Sequence, residues 1–192
     1  CEAAATVTVA VQVPAANAGV DQALCIGDTV QLGATGGTTF LWSPGATLSD
    51  VNIADPLAFP LATTTYTVSV TDGLGCIALD SMVVTVNPLP VVNAGADAAI
   101  CAGSNTNLGG TPTGPSGSTY QWSPGAGLNN TTTANPTAQP VGTTTYTVLV
   151  TDGNQCSASD SVTVTVNPLP SIVAGQDTSV CLGSNAQLNA TG

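Results

Sequence analysis

The sequence predicts an all-β protein made of tandem antiparallel β-sandwiches that follow one another in a rod-like array. Two observations predict this fold class: the same motifs return about 80 residues apart, and apolar residues alternate with period two. The WSPG tetrapeptide at 42–45 returns at 122–125, and the TTTYTV segment at 63–68 returns at 143–148. A fixed period with matching landmarks indicates an array of similar structural units.

The register of these motifs predicts two complete units and two partial ones. Residues 15–90 form one predicted β-sandwich repeat, and residues 91–170 form the second. Residues 1–14 match the C-terminal strand of a preceding repeat, whereas residues 171–192 match the N-terminal part of a following repeat. We therefore expect the chain to be a window on a longer repetitive protein.

Each complete unit carries the pattern of about seven short strands. Tyr66, Val68 and Val70 alternate with polar residues, which places them on one face of a half-buried strand. The Asp-Gly pairs at 72–73 and 152–153 begin the turn of a hairpin with the following strand. A unit of this size and strand number is typical of a small β-sandwich.

The large aromatic residues lie at equivalent places in the two units. Trp42 and Trp122 fall on a central strand, and Tyr66 and Tyr146 fall on the penultimate one. These positions correspond to the core tryptophan and the late tyrosine of immunoglobulin-like folds. We interpret the four residues as core aromatics rather than as an aromatic binding platform, because a small sandwich needs one such tryptophan.

The composition excludes several classes of function. The chain has no lysine, arginine or histidine, and its 11 acidic residues give a net charge of −11. Without a basic patch we expect no nucleic-acid partner, and without a long apolar run we expect no membrane span. The polar, weakly charged surface contains no trypsin site and predicts an extracellular or cell-surface protein.

Six cysteines occupy two repeat-equivalent sets, which predicts disulfides and an oxidising compartment. One set is Cys1, Cys76 and Cys156, and the other is Cys25, Cys101 and Cys181. We predict bonds inside each unit, Cys25–Cys76 and Cys101–Cys156, with Cys1 and Cys181 bonded to residues outside this 192-residue window. Two alternatives stay open: free or intermolecular thiols, and a Cys25–Cys156 bond, which immunoglobulin topology would favour by placing Cys25 and Cys76 at opposite ends of a unit.

The ordered motifs resemble the PKD-like and immunoglobulin-like repeats of large surface and secreted proteins of Bacteroidota. The pattern runs through Ala-Gly-x-Asp, Cys-x-Gly, Trp-Ser-Pro, Thr-Thr-Thr-Tyr-Thr-Val, Thr-Asp-Gly and Val-Thr-Val-Asn-Pro, and it covers nearly the whole chain. That family includes gliding-motility adhesins and other proteins exported by type IX secretion. The resemblance implies a β-sandwich, export, and a structural or adhesive role without catalysis.

Two kinds of site are predicted on exposed turns and strands. The recurring aspartates Asp21, Asp97, Asp177, Asp72 and Asp152 are candidate calcium ligands, since carboxylate oxygens suit calcium and no basic side chain is there to pair with them. The alternative is that each aspartate caps a turn. Thr29, Ser81 and Ser161 match the short Asp-Ser/Thr-apolar pattern of O-glycosylation in Bacteroidota.

No arrangement of residues predicts an enzyme, because the chain lacks a histidine base, a lysine nucleophile and an arginine anion clamp. We therefore predict a structural repeat segment of an extracellular filament or adhesin stalk, stiffened by disulfides and by the proline-rich linkers at 87–90 and 167–170. Its partners would be neighbouring repeats and copies of itself, and no cofactor would be required. The alternative is an adhesive module that binds glycans or a partner surface, in a form dependent on calcium.

Overall fold

The chain is all-β and forms β-sandwiches, as predicted. A computed structural model describes residues 1, 5–9, 11 and 13–191, and none of these residues lies in a helix. The chain divides into two compact units. The first contains Cys1–Pro90 together with Asp152–Ser157, and the second contains Val91–Thr151 together with Ala158–Gly192.

The first repeat is a sandwich of a four-stranded sheet and a two-stranded sheet. Its sheets have the strand orders β1-β6-β5-β3 and β2-β4. The strands are β1 (Gln22–Cys25), β2 (Val30–Gln31), β3 (Thr39–Ser43), β4 (Leu57–Ala58), β5 (Thr64–Thr71) and β6 (Ile77–Asn87). These six strands are one fewer than the roughly seven predicted, and residues 51–55, which precede β4, form bends instead of a strand.

The second repeat uses the same strand order. Its four-stranded sheet runs β7-β12-β11-β9, and β10 pairs with β8 in the other sheet. The strands are β7 (Ala98–Cys101), β8 (Thr106–Asn107), β9 (Thr119–Ser123), β10 (Thr137–Ala138), β11 (Thr144–Thr151) and β12 (Ser157–Asn167).

The two partial repeats contain little regular structure. In the C-terminal segment, β13 (Val173–Ala174) pairs with β14 (Ala190–Thr191) in antiparallel fashion. The strand predicted within residues 1–14 includes residues 2–4, 10 and 12, which lie outside the described residues. Residue 192 lies outside them as well. The described members of 1–14 are assigned to no strand.

The first strand of each repeat departs from the antiparallel pairing that the sequence predicts. β1 runs parallel to β6, with Gln22 opposite Val84 and Cys25 opposite Asn87. β7 runs parallel to β12 in the same way, so that Cys101 lies opposite Asn167. The end of each first strand is therefore next to the end of the last strand, at the far end of that strand from its hairpin.

Alternating side chains of the long strands form the core of each repeat. The β5 side chains Tyr66, Val68 and Val70 are fully buried, as the period-two pattern predicts. They pack with Trp42 and with Met82 of β6. In the second repeat the same positions are buried, with Val162 in place of the methionine. Each sandwich thus has its own hydrophobic core.

Candidate functional site

The disulfide in the structure corrects the pairing predicted inside each repeat. Cys25 is bonded to Cys156, with a Cα–Cα distance of 5.5 Å and a sequence separation of 131 residues. The predicted bonds Cys25–Cys76 and Cys101–Cys156 are wrong, and the bond is the Cys25–Cys156 alternative. Cys156 belongs to the Asp152–Ser157 segment that forms part of the first compact unit.

The parallel pairing of β1 with β6 explains why an internal bond cannot form. Cys25 lies opposite Asn87 at the end of β6, whereas Cys76 directly precedes Ile77 at the start of that strand. β6 has 11 residues, and at ~3.3 Å per residue it separates the two cysteines by roughly 33 Å. A disulfide needs Cα atoms within about 7 Å of each other. The same argument separates Cys101 from Cys156 along β12.

Four of the described cysteines are free thiols. Cys1, Cys101 and Cys181 are exposed, and Cys76 is half-buried. The bonds that we predict from Cys1 and Cys181 to residues outside the 192-residue window stay predictions.

The two tryptophans fasten a long loop to the core of their own repeat. Trp42 is 2% exposed, and its indole Nε1–H donates to the carbonyl of Ile53 at 3.1 Å. Its backbone N–H donates to the carbonyl of Val51 at 2.8 Å. In the second repeat Trp122 donates from Nε1 to the carbonyl of Thr133 at 3.0 Å. These buried contacts leave neither indole face free to act as a binding platform.

The two tyrosines anchor the loop that follows the WSPG motif, with different partners. The hydroxyl of Tyr66 shares a hydrogen bond with Thr47 Oγ1 at 2.6 Å. Tyr146 instead donates to the carbonyl of Ala126 at 2.8 Å, because glycine stands at 127 where the first repeat has Thr47. Burial raises the pKa of the Tyr146 hydroxyl, and a hydrogen bond with the Thr144 side chain opposes that rise.

Two aspartates of each repeat clasp backbone amides that lie far away in the sequence. Asp80 Oδ2 accepts a hydrogen bond from the Ala18 amide at 2.7 Å, and Asp21 Oδ1 accepts one from the Val83 amide at 2.8 Å. Together they tie the segment that enters the sandwich to β6. The second repeat has the same clasp: Asp160 accepts from the Ala94 amide and Asp97 accepts from the Thr163 amide, both at 2.8 Å.

The clasp lowers the pKa of Asp80. The Ala18 amide contributes most, the Ser81 amide adds to it, and desolvation opposes both. A carboxylate that accepts backbone N–H bonds is stabilised in its charged form, so its proton is lost more easily. The sequence predicts no partner for Asp80 or Asp160, because the clasp spans more than sixty residues.

The hairpin aspartates cap turns, which is the alternative to calcium binding given above. Asp72 Oδ1 accepts hydrogen bonds from the amides of Leu74 at 2.8 Å and Cys76 at 2.9 Å. Asp152 does the same for the amides of Asn154 and Cys156, at 2.9 and 3.0 Å. Such Asx turns stabilise the hairpin without a ligand.

Calcium binding by these aspartates stays a prediction. Over residues 1, 5–9, 11 and 13–191, no group of three or more acidic, cysteine or histidine side chains is close enough together to hold a metal ion. Asp177 is exposed in the C-terminal segment, apart from the sandwich cores. If calcium binds, EDTA should lower the melting temperature and added calcium should restore it.

The predicted glycosylation sites are accessible. Thr29, Ser81 and Ser161 are all exposed, Ser81 and Ser161 on outward-facing positions of β6 and β12. Accessibility is needed for modification but is common among hydroxyl residues of this chain, so glycosylation stays a prediction.

The C-terminal segment contains a surface depression of about 690 Å³. Its lining includes Asp177, Gln187 and Asn189, and Asp177 is its one titratable side chain. Within the described residues, no helix is long and apolar enough to cross a membrane.

Comparison with known proteins finds similarity only at the level of folds. No family model matches the chain, and no curated protein matches it. Among solved structures, the titin domains I67–I69 are 14% identical, with a TM-score of 0.44 over 82% of this chain and 67% of theirs. The insect immune protein hemolin is 16% identical, with a TM-score of 0.40 over 81% of this chain and 46% of its own.

A third similar structure is the Ig1-2 module of the Drosophila receptor protein tyrosine phosphatase DLAR. It is 12% identical, with a TM-score of 0.31 over 81% of this chain and all of its own. The strand order and the buried tryptophan and tyrosine of each repeat are themselves those of an immunoglobulin-like β-sandwich. The chain therefore has an immunoglobulin-like fold.

Proposed function

We propose that this chain is a structural repeat segment of an extracellular filament or of a cell-surface adhesin stalk. In this role successive sandwiches follow one another as a stiff array, and the chain carries no catalytic activity. The neighbouring partners are further repeats and copies of the chain itself. A bacterial surface protein exported as the sequence resemblance implies would use such an array to hold an active part away from the cell.

The proposal is supported by the contacts that the residues shared by the two repeats make. In each repeat the core tryptophan, Trp42 or Trp122, donates a hydrogen bond to a loop carbonyl, and the core tyrosine, Tyr66 or Tyr146, anchors a second loop. The paired aspartates of each repeat tie the segment that enters the sandwich to its last strand. Every one of these contacts lies inside a sandwich. Such contacts hold each sandwich together, which is what a structural repeat requires.

The two repeats differ at some of their exposed positions. Phe59 is 42% exposed and Leu57 is 44% exposed in the first repeat, whereas Gln139 and Thr137 stand at these positions in the second. A spacer tolerates such surface differences, because its repeats must fold alike but need not bind alike. The Cys25–Cys156 disulfide supports a location outside the cytosol.

Electron microscopy of the native assembly tests the proposal. Strands of this length at ~3.3 Å per residue, with a linker, predict an axial repeat of roughly 35–45 Å per unit. A filament or stalk with that spacing supports the array. Sandwiches that fold back on each other in a compact particle would overturn it.

The second candidate is an adhesive module that binds glycans or a partner surface. The exposed Phe59 ring favours it, since sugar rings stack on exposed aromatic side chains. A glycan array probed with the whole chain tests this candidate against the Phe59→Ala variant. Binding that the variant loses would favour adhesion, and the same array with EDTA would show whether calcium is needed.

A further inference from the structure

We propose that the Cys25–Cys156 disulfide is a second covalent connection, which keeps the chain in one piece after a protease has cut the backbone between these two cysteines. Separation of the pieces then requires two events, cleavage of the backbone and reduction of the bond. The inference goes beyond the proposed function, since it applies equally to a stalk and to an adhesive module.

The bond between Cys25 and Cys156 closes a covalent ring. It joins residues that are 131 positions apart, so the backbone between the two cysteines and the disulfide together form a closed path. Hydrolysis of one peptide bond opens this ring but leaves the cysteines bonded to each other. Everything that precedes Cys25 therefore stays attached to everything that follows Cys156.

Several exposed connections of the two complete repeats lie within this ring. The linker at 87–90 contains the exposed Leu89 and is followed by the exposed Val91. Leu61 and Val141, which precede β5 and β11, are exposed as well. Exposed loops and linkers are the preferred sites of proteolytic nicking. Because the chain has no lysine or arginine, proteases that cleave at apolar residues are the ones that find a site at these four positions.

The disulfide is held by local contacts that a distant cut does not break. Cys156 is fully buried, and its amide donates to Asp152 Oδ1 at 3.0 Å. The Cys156 carbonyl accepts a hydrogen bond from the Asp152 amide at 2.9 Å. Cys25 is partly exposed and lies at the end of β1, which pairs with β6. A reductant therefore reaches the bond at the Cys25 sulfur.

Each of the two events breaks one bond of the ring. Cleavage adds water across a peptide bond and yields a carboxylate and an amine. In reduction, the thiolate of a small thiol such as glutathione attacks the Cys25 sulfur, and the Cys156 sulfur leaves as a thiolate that takes up a proton. A second glutathione thiolate then attacks the mixed disulfide, which releases the Cys25 thiol and forms glutathione disulfide. Either event alone leaves one covalent connection in place.

The absence of lysine and arginine allows a sharp test, because a single introduced lysine creates the one trypsin site of the chain. Leu61→Lys, Val91→Lys and Val141→Lys each place that site inside the ring, at an exposed position. Leu182→Lys, at another exposed position, places it after Cys156 and is the matched control. The free thiols of each folded variant are alkylated first, so that no new disulfide forms. After trypsin treatment, mass spectrometry under denaturing conditions counts the covalent pieces with and without a reductant.

Each variant cut inside the ring should give one piece without a reductant and two pieces with it. The reduced sample measures how much of the chain has been cut. Leu182→Lys should lose its C-terminal piece under both conditions. Adding Cys25→Ser to Val91→Lys should give two pieces without any reductant, because the second connection is then absent.

Two results would overturn the proposal. The first is two separate pieces from the unreduced Val91→Lys chain, because cleavage beside the linker would then be enough for separation. The second is a single piece from the cut chain that also carries Cys25→Ser, because a different connection would then hold the pieces together. Neither result bears on the axial spacing of the native assembly, which tests the proposed function separately.

Discussion

The first and second repeats hold the same core with different peripheral contacts. Tyr66 uses the side chain of Thr47, whereas Tyr146 uses the backbone carbonyl of Ala126. The equivalent glycine, Gly127, has a φ of +79°, which a threonine adopts only with strain. The anchored ring is thus kept while its hydrogen-bond partner changes from a side chain to a backbone carbonyl.

The loop before the central strand shows the larger difference. It carries four more residues in the second repeat, and it folds around the buried side chain of Thr113, which is 2% exposed. Thr113 Oγ1 lies 3.1 Å from the Gly110 carbonyl and 3.0 Å from the Ala134 carbonyl. The side-chain amide of Asn135 donates to the same oxygen at 3.2 Å. The longer loop is therefore stabilised by a polar network of its own.

The largest expected effect separates Cys25 from its repeat equivalent, Cys101. Cys25→Ser should lower the free energy of unfolding by about 5 kcal/mol in the chain-entropy model, because the bond closes a loop of more than 100 residues. Cys101→Ser is the matched control and should leave the stability of the single chain unchanged. Urea denaturation of both variants checks this, and equal midpoints would contradict the disulfide seen here.

Loss of a core tryptophan should come next. Trp42→Ala should cost the first repeat about 3–5 kcal/mol, because it opens a cavity in the core and frees the loop that Ile53 anchors. Trp122→Ala should cost the second repeat a similar amount. Each variant keeps one tryptophan, so its fluorescence in urea reports on the repeat that was not changed, while circular dichroism follows both. If the changed repeat unfolds at the same urea concentration as in the unchanged protein, its tryptophan has no core role.

A smaller effect should appear in the second repeat alone. Thr113→Val keeps the shape of the buried Thr113 side chain but removes its hydroxyl, so the side-chain amide of Asn135 loses one of its acceptors. We expect a loss of about 1–2 kcal/mol, measured by urea denaturation. Thr111→Val, at an exposed position of the same loop, is the control. Equal stability of the two variants would show that the network contributes nothing.

The smallest effect should be the acid sensitivity of the Asp80 clasp. Because the folded-state pKa of Asp80 is lowered, its contribution is present above the unfolded pKa of about 3.9 and is lost as the pH falls through the folded value. Asp80→Asn should flatten the dependence of the melting temperature on pH below about 4. Carbon NMR of the Asp80 carboxyl checks the direction, and titration at or above the usual value would refute it.

The strand pattern could be predicted from sequence because it is local. Tyr66, Val68 and Val70 alternate with polar residues, and the alternation alone shows which face is buried. The placement of Gln22–Cys25 could not be predicted, since four residues carry too little periodicity to distinguish parallel from antiparallel pairing. The disulfide depends on that choice, so the favoured pairing was wrong although the cysteines themselves were recognised.

The aspartates show the same difference between local contacts, which the sequence predicts, and long-range contacts, which it does not. Asp72 caps a turn within four residues of itself, and the Asp-Gly signal predicts a turn there. Asp80 holds the Ala18 amide across 62 residues, and nothing near Asp80 in the sequence indicates this. Contacts of long sequence separation are set by the packing of the whole sandwich, which explains why the turn aspartates were interpretable and the clasp was not.

The parallel pairing of β1 with β6 determines how one sandwich responds to tension. The chain enters β1 at Gln22, beside Val84, and leaves β6 at Asn87, beside Cys25. A force that pulls the chain apart at its entry into β1 and its exit from β6 draws these adjacent strands in opposite directions along their length. All the hydrogen bonds between them must then break together in shear, whereas an antiparallel pair pulled from one end would open one bond at a time. The strand order therefore makes the start and the end of each sandwich a mechanical clamp.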